Sequence, residues 1–352
     1  MGGAEVGRSE GTEGSAKVRV ERRPLRDRGG RLVDGLFVDW LAWDNPRSAN
    51  AFTTEALEAM IEALRRSGRD PCVSAVVMTG TGDRAFCSGA DVGELAGRYA
   101  GRPREYARFL ARFCELVEEI LRCAKPVVNR VNGARVAGGQ ALGLACDFAV
   151  AADTAIFGHV GPRRGSAPIL GGTDFLDLYV GWGRAVEALT IGAPWSAYTA
   201  YRLGLVHRVV PVWRRGDRFV PNPRVVTDRW VDGNGRIVYG EFRQGEDLDR
   251  AEALLRECVL DMSPLDEAVD ALCTELALTF PGCLQRTLEA LRQKKREVWS
   301  CHYGAHRDWL ALNMGGEGAL GARAYVERPR GRREVDFLEL RRRGSKVSDG
   351  PS

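Results

Sequence analysis

The alternation of strands and helices in the first 210 residues constrains the fold of this chain more than any other feature. Two apolar runs, "VSAVVMTG" (73–80) and "PVVNRV" (126–131), are typical of buried strands, and "GLFVDWLAW" (35–43) predicts a third. Apolar periodicity predicts helices over 53–68, with Thr53 or Thr54 as N-cap and Gly68 as the stop, and over 103–122. A repeated strand–helix–strand order predicts an α/β fold.

Composition shifts divide the chain into five parts. We predict a disordered N-terminal segment (1–16), an α/β core (17–211), an insertion (212–247), a helical region (248–327) and an Arg-rich tail (328–352). The insertion carries a predicted β-hairpin, "VVTDRWVDGNGRIVYGEF", that turns at Asp232-Gly233-Asn234-Gly235.

Charge and cysteine usage exclude few function classes, but they give expectations about partners and cellular compartment. The 51 Lys and Arg residues against 47 Asp and Glu leave a net charge of +4, which gives no argument for a nucleic-acid or membrane surface. Nine cysteines without a C-x-x-C pair, and no secretory leader, predict a reducing cytoplasm and no metal site. The most apolar window, 136–152, is shorter than the roughly 20 residues of a membrane-spanning helix, so we expect none.

Two glycine loops at strand ends carry the functional signal. In "KPVVNRVNGARVAGGQALGLACD" (125–147), a strand leads through Ala137-Gly138-Gly139 into a helix of small residues, and "RAFCSGADVGEL" (84–95) follows a strand in the same way. Backbone N–H groups at a helix start are unpaired, and the helix dipole adds positive charge there. Two such donors that meet at one carbonyl would form an oxyanion hole. Tight packing alone is the alternative explanation of either loop.

These loops, with "WDNPRSANAF" and "FGHVGPRRGSAPILGGTDFL", resemble the crotonase (enoyl-CoA hydratase/isomerase) superfamily over about residues 18–211. The resemblance implies an α/β fold, namely a crotonase (ClpP-like) ββα spiral core with a C-terminal helical trimerisation region, assembled as a homotrimer or homohexamer. It also implies an acyl-CoA substrate, no cofactor besides that coenzyme A, and no nucleic-acid or membrane partner. By the same resemblance, the thioester carbonyl is bound by the amides of Ala90 and Gly138, and the CoA contacts are Arg47, Ser48, Ala51, Asp91 and Val92.

The sequence departs from that family at both catalytic glutamates. The resemblance places them at Ala141 and Gly161, where this chain has no carboxylate. Since these two groups position and deprotonate the water that a simple hydratase adds, their loss argues against an ordinary hydratase mechanism.

Further segments resemble the ring-opening branch of the superfamily. They are "PRRGS", "GSAPI…TDFL", "NPRVVTDRW…GRIVYGEF" and "WLALNM…REVDF". The implied reaction is the hydrolytic opening of a cyclic β-oxo-enoyl-CoA, 6-oxocyclohex-1-ene-1-carbonyl-CoA, by two waters to 3-hydroxypimeloyl-CoA in benzoyl-CoA degradation. The alternatives are another crotonase-type acyl-CoA hydratase, isomerase or C–C lyase, and a non-catalytic protein that binds RNA or a partner through the Arg-rich tail.

Several side chains are candidates for water activation in such a reaction. Asp174 is a candidate base or a helix N-cap, Glu241 a replacement base in the insertion or a solvated strand carboxylate, and His159 a proton carrier or a packed histidine. Gly161, Ser166 and Tyr239 are weaker candidates for substrate contact. We interpret the other three histidines, His207, His302 and His306, as structural, because the last two share a helical face without a further residue that would complete a metal site.

Overall fold

The computed structural model describes residues 18–329 and 334–348, and the segment predicted to be disordered (1–16) lies outside them. The strands are β1 (Val18–Arg26), β2 (Leu32–Trp43), β3 (Val73–Gly80), β4 (Ala85–Cys87), β5 (Val127–Val131), β6 (Ala134–Val136), β7 (Phe148–Ala152), β8 (Ile156–Gly158), β9 (Trp195–Ser196), β10 (Arg208–Val210), β11 (Trp213–Arg215), β12 (Arg218–Val220) and β13 (Val259–Leu260). The helices are α1 (Thr54–Arg69), α2 (Val92–Glu94), α3 (Pro103–Arg122), α4 (Gly138–Ala145), α5 (Gly172–Phe175), α6 (Asp177–Val180), α7 (Trp182–Ile191), α8 (Ala197–Arg202), α9 (Gly245–Leu255), α10 (Ser263–Ala277), α11 (Pro281–Asn313), α12 (Glu317–Glu327) and α13 (Phe337–Ser348).

The core repeats a ββα unit, as predicted. In each repeat the first strand joins the six-stranded sheet β1-β2-β3-β5-β7-β10 and the second joins the four-stranded sheet β4-β6-β8-β9. A helix then returns the chain to the first sheet, so that β3, β5 and β7 run parallel. Strands β4 and β6 therefore end side by side, and each leads directly into one of the two glycine loops.

Helices α1 and α3 pack together in the larger core cluster, beside the glycine loops. The Thr53 side chain caps α1 by accepting the Ala56 N–H, which relieves one unpaired donor at the helix start. Gly68 does not end α1 as predicted, because the helix continues to Arg69 and ends on Asp70. Pro103 begins α3, where a missing N–H costs nothing, and the buried face of α3 contributes Phe109 and Phe113.

The C-terminal helices fold back onto the core. Arg292 of α11 is buried, and its guanidinium donates to the Asp147 carboxylate at 2.5–2.7 Å and to the Cys123 and Lys125 carbonyls. This ion pair fixes α11 beside the end of α3, and α11 then leads to α12. None of the helices in the described ranges combines the length and apolar character that a membrane crossing requires.

The insertion between β10 and α9 lies against α8. Residues 225–242 form an irregular antiparallel hairpin with bridges Val225–Phe242 and Val231–Ile237, and the Gly235 N–H donates to the Asp232 carbonyl at its turn. The Gly240 carbonyl accepts both the Ser196 and Thr199 hydroxyls at the start of α8. The hairpin is thereby tied to the outside of the core.

Candidate active site

An apolar cavity of about 190 Å³ opens between the two glycine loops and the C-terminal helices. Its walls come from the loops after β4 and β6, from α3, from residues 159–172 and from the α11–α12 turn. The polar side chains that line it include His159, Ser88, Ser166 and Asn313. Among the described residues, no Asp or Glu lines this cavity.

Ala90 and Gly138 both line this cavity. On either side of Ala90, the Phe52 N–H donates to the Gly89 carbonyl and the Asp91 N–H donates to the Phe52 carbonyl. The Ala90 N–H itself makes no such hydrogen bond. Gly138 is the first residue of α4, where an N–H has no intrahelical acceptor. Within the described part of the chain, neither amide has an acceptor.

The two loops touch through glycines. A Cβ on Gly89 would lie 2.9 Å from the Gly138 nitrogen, and a Cβ on Gly139 would lie 2.1 Å from the Cys87 carbonyl oxygen. Only residues without a Cβ allow this approach, and Gly89 also has a φ of +95°. The glycines therefore hold the Ala90 and Gly138 amides in one small region, as an oxyanion hole requires.

Ala137, just before α4, has a strained backbone. Its φ of 51° and ψ of −125° lie in a region that alanine rarely adopts. Such strain costs about 1–3 kcal/mol and collects at functional sites. Ala137 is the N-cap of α4, so this backbone conformation makes Gly138 the first residue of the helix at the cavity.

Replacing Ala137 by glycine is expected to raise the free energy of unfolding by about 1 kcal/mol. The substitution removes about 1–3 kcal/mol of strain and returns part of it through the greater entropy of an unfolded glycine. Thermal or urea denaturation measures the change. The control is Ala134→Gly in β6, which has no positive φ and should lose about 0.5–1 kcal/mol. Equal losses in both variants would contradict the assignment of strain to Ala137.

His159 is the cavity's buried titratable side chain with an unused nitrogen. It is 2% exposed, and its Nε2 has no hydrogen-bond partner in the described structure. Burial, with a smaller contribution from the positive charge of Arg135, lowers the pKa of His159 to about 3. The imidazole is therefore neutral at physiological pH, and His159 forms part of the cavity wall.

The positions of the two missing glutamates both lie in the cavity wall. Ala141 is in α4, and a Cβ on Gly171 would lie only 2.8 Å from the Ala141 Cβ. Gly161 packs equally closely, because its Cβ would lie 2.4 Å from the Ser166 carbonyl oxygen. Both positions thus pack closely against neighbouring loops, and neither carries a carboxylate.

Asp174 does not line the cavity. Its carboxylate is buried, and Oδ2 accepts the Gly171 N–H at 2.7 Å. Gly171 is the N-cap of α5, so Asp174 is not the N-cap that the sequence suggested but the third helical residue, whose side chain binds the N-cap amide. Oδ1 has no hydrogen-bond partner but lies 3.7 Å from Nδ1 of both His302 and His306 on α11. Burial raises the pKa of Asp174. Both histidines therefore approach a buried carboxylate, a contact that their spacing in the sequence did not indicate.

His207 matches its structural interpretation. Its Nδ1 accepts the Ala149 N–H at 3.2 Å, and its ring packs on Phe148. The histidine lies at the β7–β10 edge of the large sheet and outside the cavity wall.

Glu241 and Tyr239, the candidate site residues of the insertion, do not line this cavity. The Glu241 carboxylate is exposed and accepts the Tyr239 and Gly240 N–H groups of its own hairpin at 3.0 and 3.2 Å. Tyr239 lies under the Arg184 guanidinium, which is 4.7 Å from its ring centre. Neither Glu241 nor Tyr239 therefore lines the chain's own cavity.

The predicted substrate contacts fall into two groups. Val92, Gly161 and Ser166 line the cavity. The others, Arg47, Ser48, Ala51 and Asp91, lie on the adjoining loops: the Ser48 carbonyl accepts the Ala51 N–H and the Ser88 hydroxyl, Arg47 is exposed, and Asp91 caps α2. These four residues therefore lie near Ser88, which lines the cavity, but they do not line the cavity themselves.

Sequence reasoning missed the wall formed by α12. Gly318, Gly321 and Ala322 line the cavity. A Cβ on Gly165 would lie 2.0 Å from the Glu317 carbonyl oxygen, so this helix packs backbone against backbone. The small residues of "GGEGALGARAY" could have indicated such a contact.

Comparison with known proteins places the chain among acyl-CoA enzymes. The family model described as enoyl-CoA hydratase/isomerase matches residues 38–236. Curated proteins named 6-oxocyclohex-1-ene-1-carbonyl-CoA hydrolase are similar along almost the whole chain. The protein of Geobacter metallireducens is 45% identical over 92% of this chain and 85% of its own length, and that of Thauera aromatica is 44% identical over 92% and 86%.

Solved structures agree on the fold. An enoyl-CoA hydratase/isomerase from Mycobacterium paratuberculosis has a TM-score of 0.64 at 19% identity and covers 88% of this chain and 99% of its own. An enoyl-CoA hydratase from Bacillus halodurans also has a TM-score of 0.64, at 18% identity, with coverage of 88% and 100%. At these identities the comparison shows the shared fold alone.

Proposed function

The chain belongs to the enoyl-CoA hydratase/isomerase family, and from that premise we propose that it hydrolyses the ring of 6-oxocyclohex-1-ene-1-carbonyl-CoA with two waters, giving 3-hydroxypimeloyl-CoA. The observation that carries this proposal is the pair of unpaired amides, of Ala90 and Gly138, at an apolar cavity without a carboxylate among the described residues. Relatives of 40–45% identity bear the name of this activity.

The cavity suits a six-membered ring. A cavity of about 150 Å³ accommodates benzene, and this one has about 190 Å³ with mainly apolar walls. Phe109, Phe113 and Leu110 of α3 provide flat and branched apolar surface for the ring carbons. The thioester oxygen would meet the Ala90 and Gly138 amides, which fixes the ring relative to His159.

One pair of amides serves both chemical steps. In the first step, water adds to the ring carbon β to the thioester, the π electrons move onto the thioester oxygen, and the resulting enolate takes a proton at the α carbon. In the second step, water adds to the ring ketone, and the bond between that carbon and the α carbon breaks. Its electron pair again forms the thioester enolate, which is protonated at the α carbon as the ketone carbon becomes the carboxylic acid. Preorganised N–H donors stabilise this repeated charge without being consumed.

His159 is the group that we assign to water activation. Its neutral imidazole lines the cavity and has a nitrogen without a hydrogen-bond partner in the described structure, so the ring is placed to take up a proton from a water bound there. A base with a pKa of about 3 is weak in the empty site. Negative charge that develops on the bound thioester favours the imidazolium, so that the histidine gains proton affinity as the enolate forms.

The oligomer is part of the proposal. Apolar side chains are exposed together on α6 and α7: Leu178 is 49%, Trp182 77% and Ile191 57% exposed in the single chain. Such a surface is typical of one covered by a partner. We therefore expect the homotrimer or homohexamer that the family resemblance implies, and light scattering on the purified protein measures it.

The proposed reaction is tested with purified protein and 6-oxocyclohex-1-ene-1-carbonyl-CoA. Mass spectrometry should show a product heavier than the substrate by two waters, with two atoms of ¹⁸O incorporated from labelled water. A panel with crotonyl-CoA and cyclohex-1-ene-1-carbonyl-CoA is the control for ordinary hydratase activity. A product that gains a single water would instead support a hydratase, and no turnover of any panel member would contradict the proposal.

A further inference from the structure

Arg135 is a buried cation whose described partners are all neutral. It is 1% exposed, its Nε donates to Gln140 Oε1 at 2.7 Å and its Nη1 donates to Asn129 Oδ1 at 2.9 Å. Its Nη2 has no partner among the described residues, and its guanidinium carbon lies 4.8 Å from the centre of the Phe157 ring. In the described part of the chain, no carboxylate pairs with it.

This arrangement opposes stability. An unpaired ion in the interior costs several kcal/mol even after the protein relaxes. Burial lowers the pKa of Arg135 to about 10, which still leaves the guanidinium charged at neutral pH. The cation also lies beside the first turn of α4, where the helix dipole is already positive and where no acidic residue of that turn offsets it. A buried, unsatisfied charge of this kind calls for a functional explanation.

The position of Arg135 provides that explanation. It is two residues before the strained Ala137, and its partner Gln140 is in the same turn as Gly138. The side chain runs beneath α4, since a Cβ on Gly143 would lie 2.6 Å from Arg135 Cδ. Asn129 on the other side is held by a hydrogen bond to the Met78 carbonyl of β3. Arg135 thus connects the large sheet to the helix that presents the Gly138 amide.

Resting on the proposed function, we infer that Arg135 is a positioning residue that also supplies a fixed positive charge for the thioester enolate. It holds the first turn of α4 against the sheet, and its uncompensated charge adds to the positive potential of the helix start. A neutral thioester gains little from this potential, whereas an enolate gains more because its charge lies at the helix start. The cost in stability in the empty protein is thereby offset when the anion forms.

Three substitutions separate charge from packing. Arg135→Met removes the charge and keeps an extended side chain, whereas Arg135→Lys keeps the charge. Gln140→Glu leaves Arg135 in place and cancels its charge with a carboxylate of nearly the same shape at Nε. If Arg135→Met does not fold, Gln140→Glu still decides the question, because a buried Arg–Glu pair removes the unpaired ion.

The measurement is the preference for an enolate over a neutral acyl group. Acetoacetyl-CoA ionises to an enolate that is visible by ultraviolet absorbance, and cyclohexanecarboxyl-CoA does not. The ratio of their dissociation constants is therefore independent of ring hydrolysis. We expect Arg135→Met and Gln140→Glu to lower this preference by about tenfold or more, less than the 10²–10³ that loss of a direct donor costs. Arg135→Lys should fall between the wild type and Arg135→Met, because a protonated lysine keeps the charge but loses the two-armed hydrogen bonding and the contact with the Phe157 ring.

The test of Arg135 can succeed or fail independently of the test of ring hydrolysis. An unchanged preference in folded Gln140→Glu would overturn the inference and leave Arg135 with packing alone. A wild-type protein without any enolate preference would overturn it as well. Enolate preference that depends on Arg135, in a protein that does not open the ring, would support the inference and refute the proposed reaction.

Discussion

Gly89→Ala is expected to lower kcat by about 100- to 1,000-fold, the cost of displacing one donor of an oxyanion hole. The new Cβ would lie 2.9 Å from the Gly138 nitrogen and 3.0 Å from the Ala137 Cβ. Neither contact can be relieved by rotating a side chain. The loop after β4 must therefore move away from α4, which separates the Ala90 and Gly138 amides. Steady-state kinetics on the ring substrate, with circular dichroism to verify folding, measures the effect.

Gly82→Ala is the matched control for this substitution. Gly82 has a φ of +76°, close in kind to the +95° of Gly89, but no described atom outside its chain neighbours lies within 4 Å of the point that its Cβ would occupy. Both variants carry the penalty of a left-handed alanine, about 1–2 kcal/mol. We expect Gly82→Ala to lose stability and to keep its turnover. If Gly89→Ala also keeps its turnover within about threefold, the two amides do not form the oxyanion hole.

His159→Gln is expected to lower kcat by about 10²- to 10⁴-fold, the range of general-base catalysis. Glutamine retains polar atoms in the cavity wall but cannot take up a proton from water. His207→Gln is the control, because that histidine lies outside the cavity and its Nδ1 accepts the Ala149 N–H. Steady-state kinetics of both variants should show the loss in the first alone. Equal activities of the two would contradict the assignment of His159.

The same residue predicts how stability depends on pH. The pKa of His159 is about 3 in the folded protein and near 6.5 in the unfolded chain. Below about pH 6.5 the unfolded state therefore takes up a proton that the folded state does not, and stability falls as the pH is lowered. Asp153 acts in the opposite sense, since burial raises its pKa to about 7. Urea denaturation of the wild type and of His159→Gln between about pH 3 and pH 6.5 measures this effect. The free energy of unfolding should fall less steeply with decreasing pH in the variant.

Local patterns predicted the core well. The limits of β3 (Val73–Gly80) and α3 (Pro103–Arg122) follow from apolar runs, prolines and periodicity, and they match the structure. The glycine loops were recognisable because glycines between a strand and a helix indicate a close approach of the backbone or a left-handed φ. The predicted end of α1 at Gly68 was wrong by one residue, because the helix continues through Gly68 to Arg69.

The side chains around the cavity were harder to predict, because they depend on contacts between distant segments. Asp174 and the histidines His302 and His306 are more than 120 residues apart in sequence and meet only after α11 packs on the core. Glu241 was a natural candidate by its place in an insertion, yet its carboxylate is used by its own hairpin. Arg135 gave no signal at all, since one arginine beside a glycine loop is usually solvated.

The wall that α12 contributes has a consequence for the order in which the site is completed during synthesis. The amides of Ala90 and Gly138 belong to segments that are synthesised well before Gly318, Gly321 and Ala322. A nascent chain thus forms its two anion-binding loops long before it can enclose a ring. We therefore expect ligand binding to begin only after α12 has been synthesised.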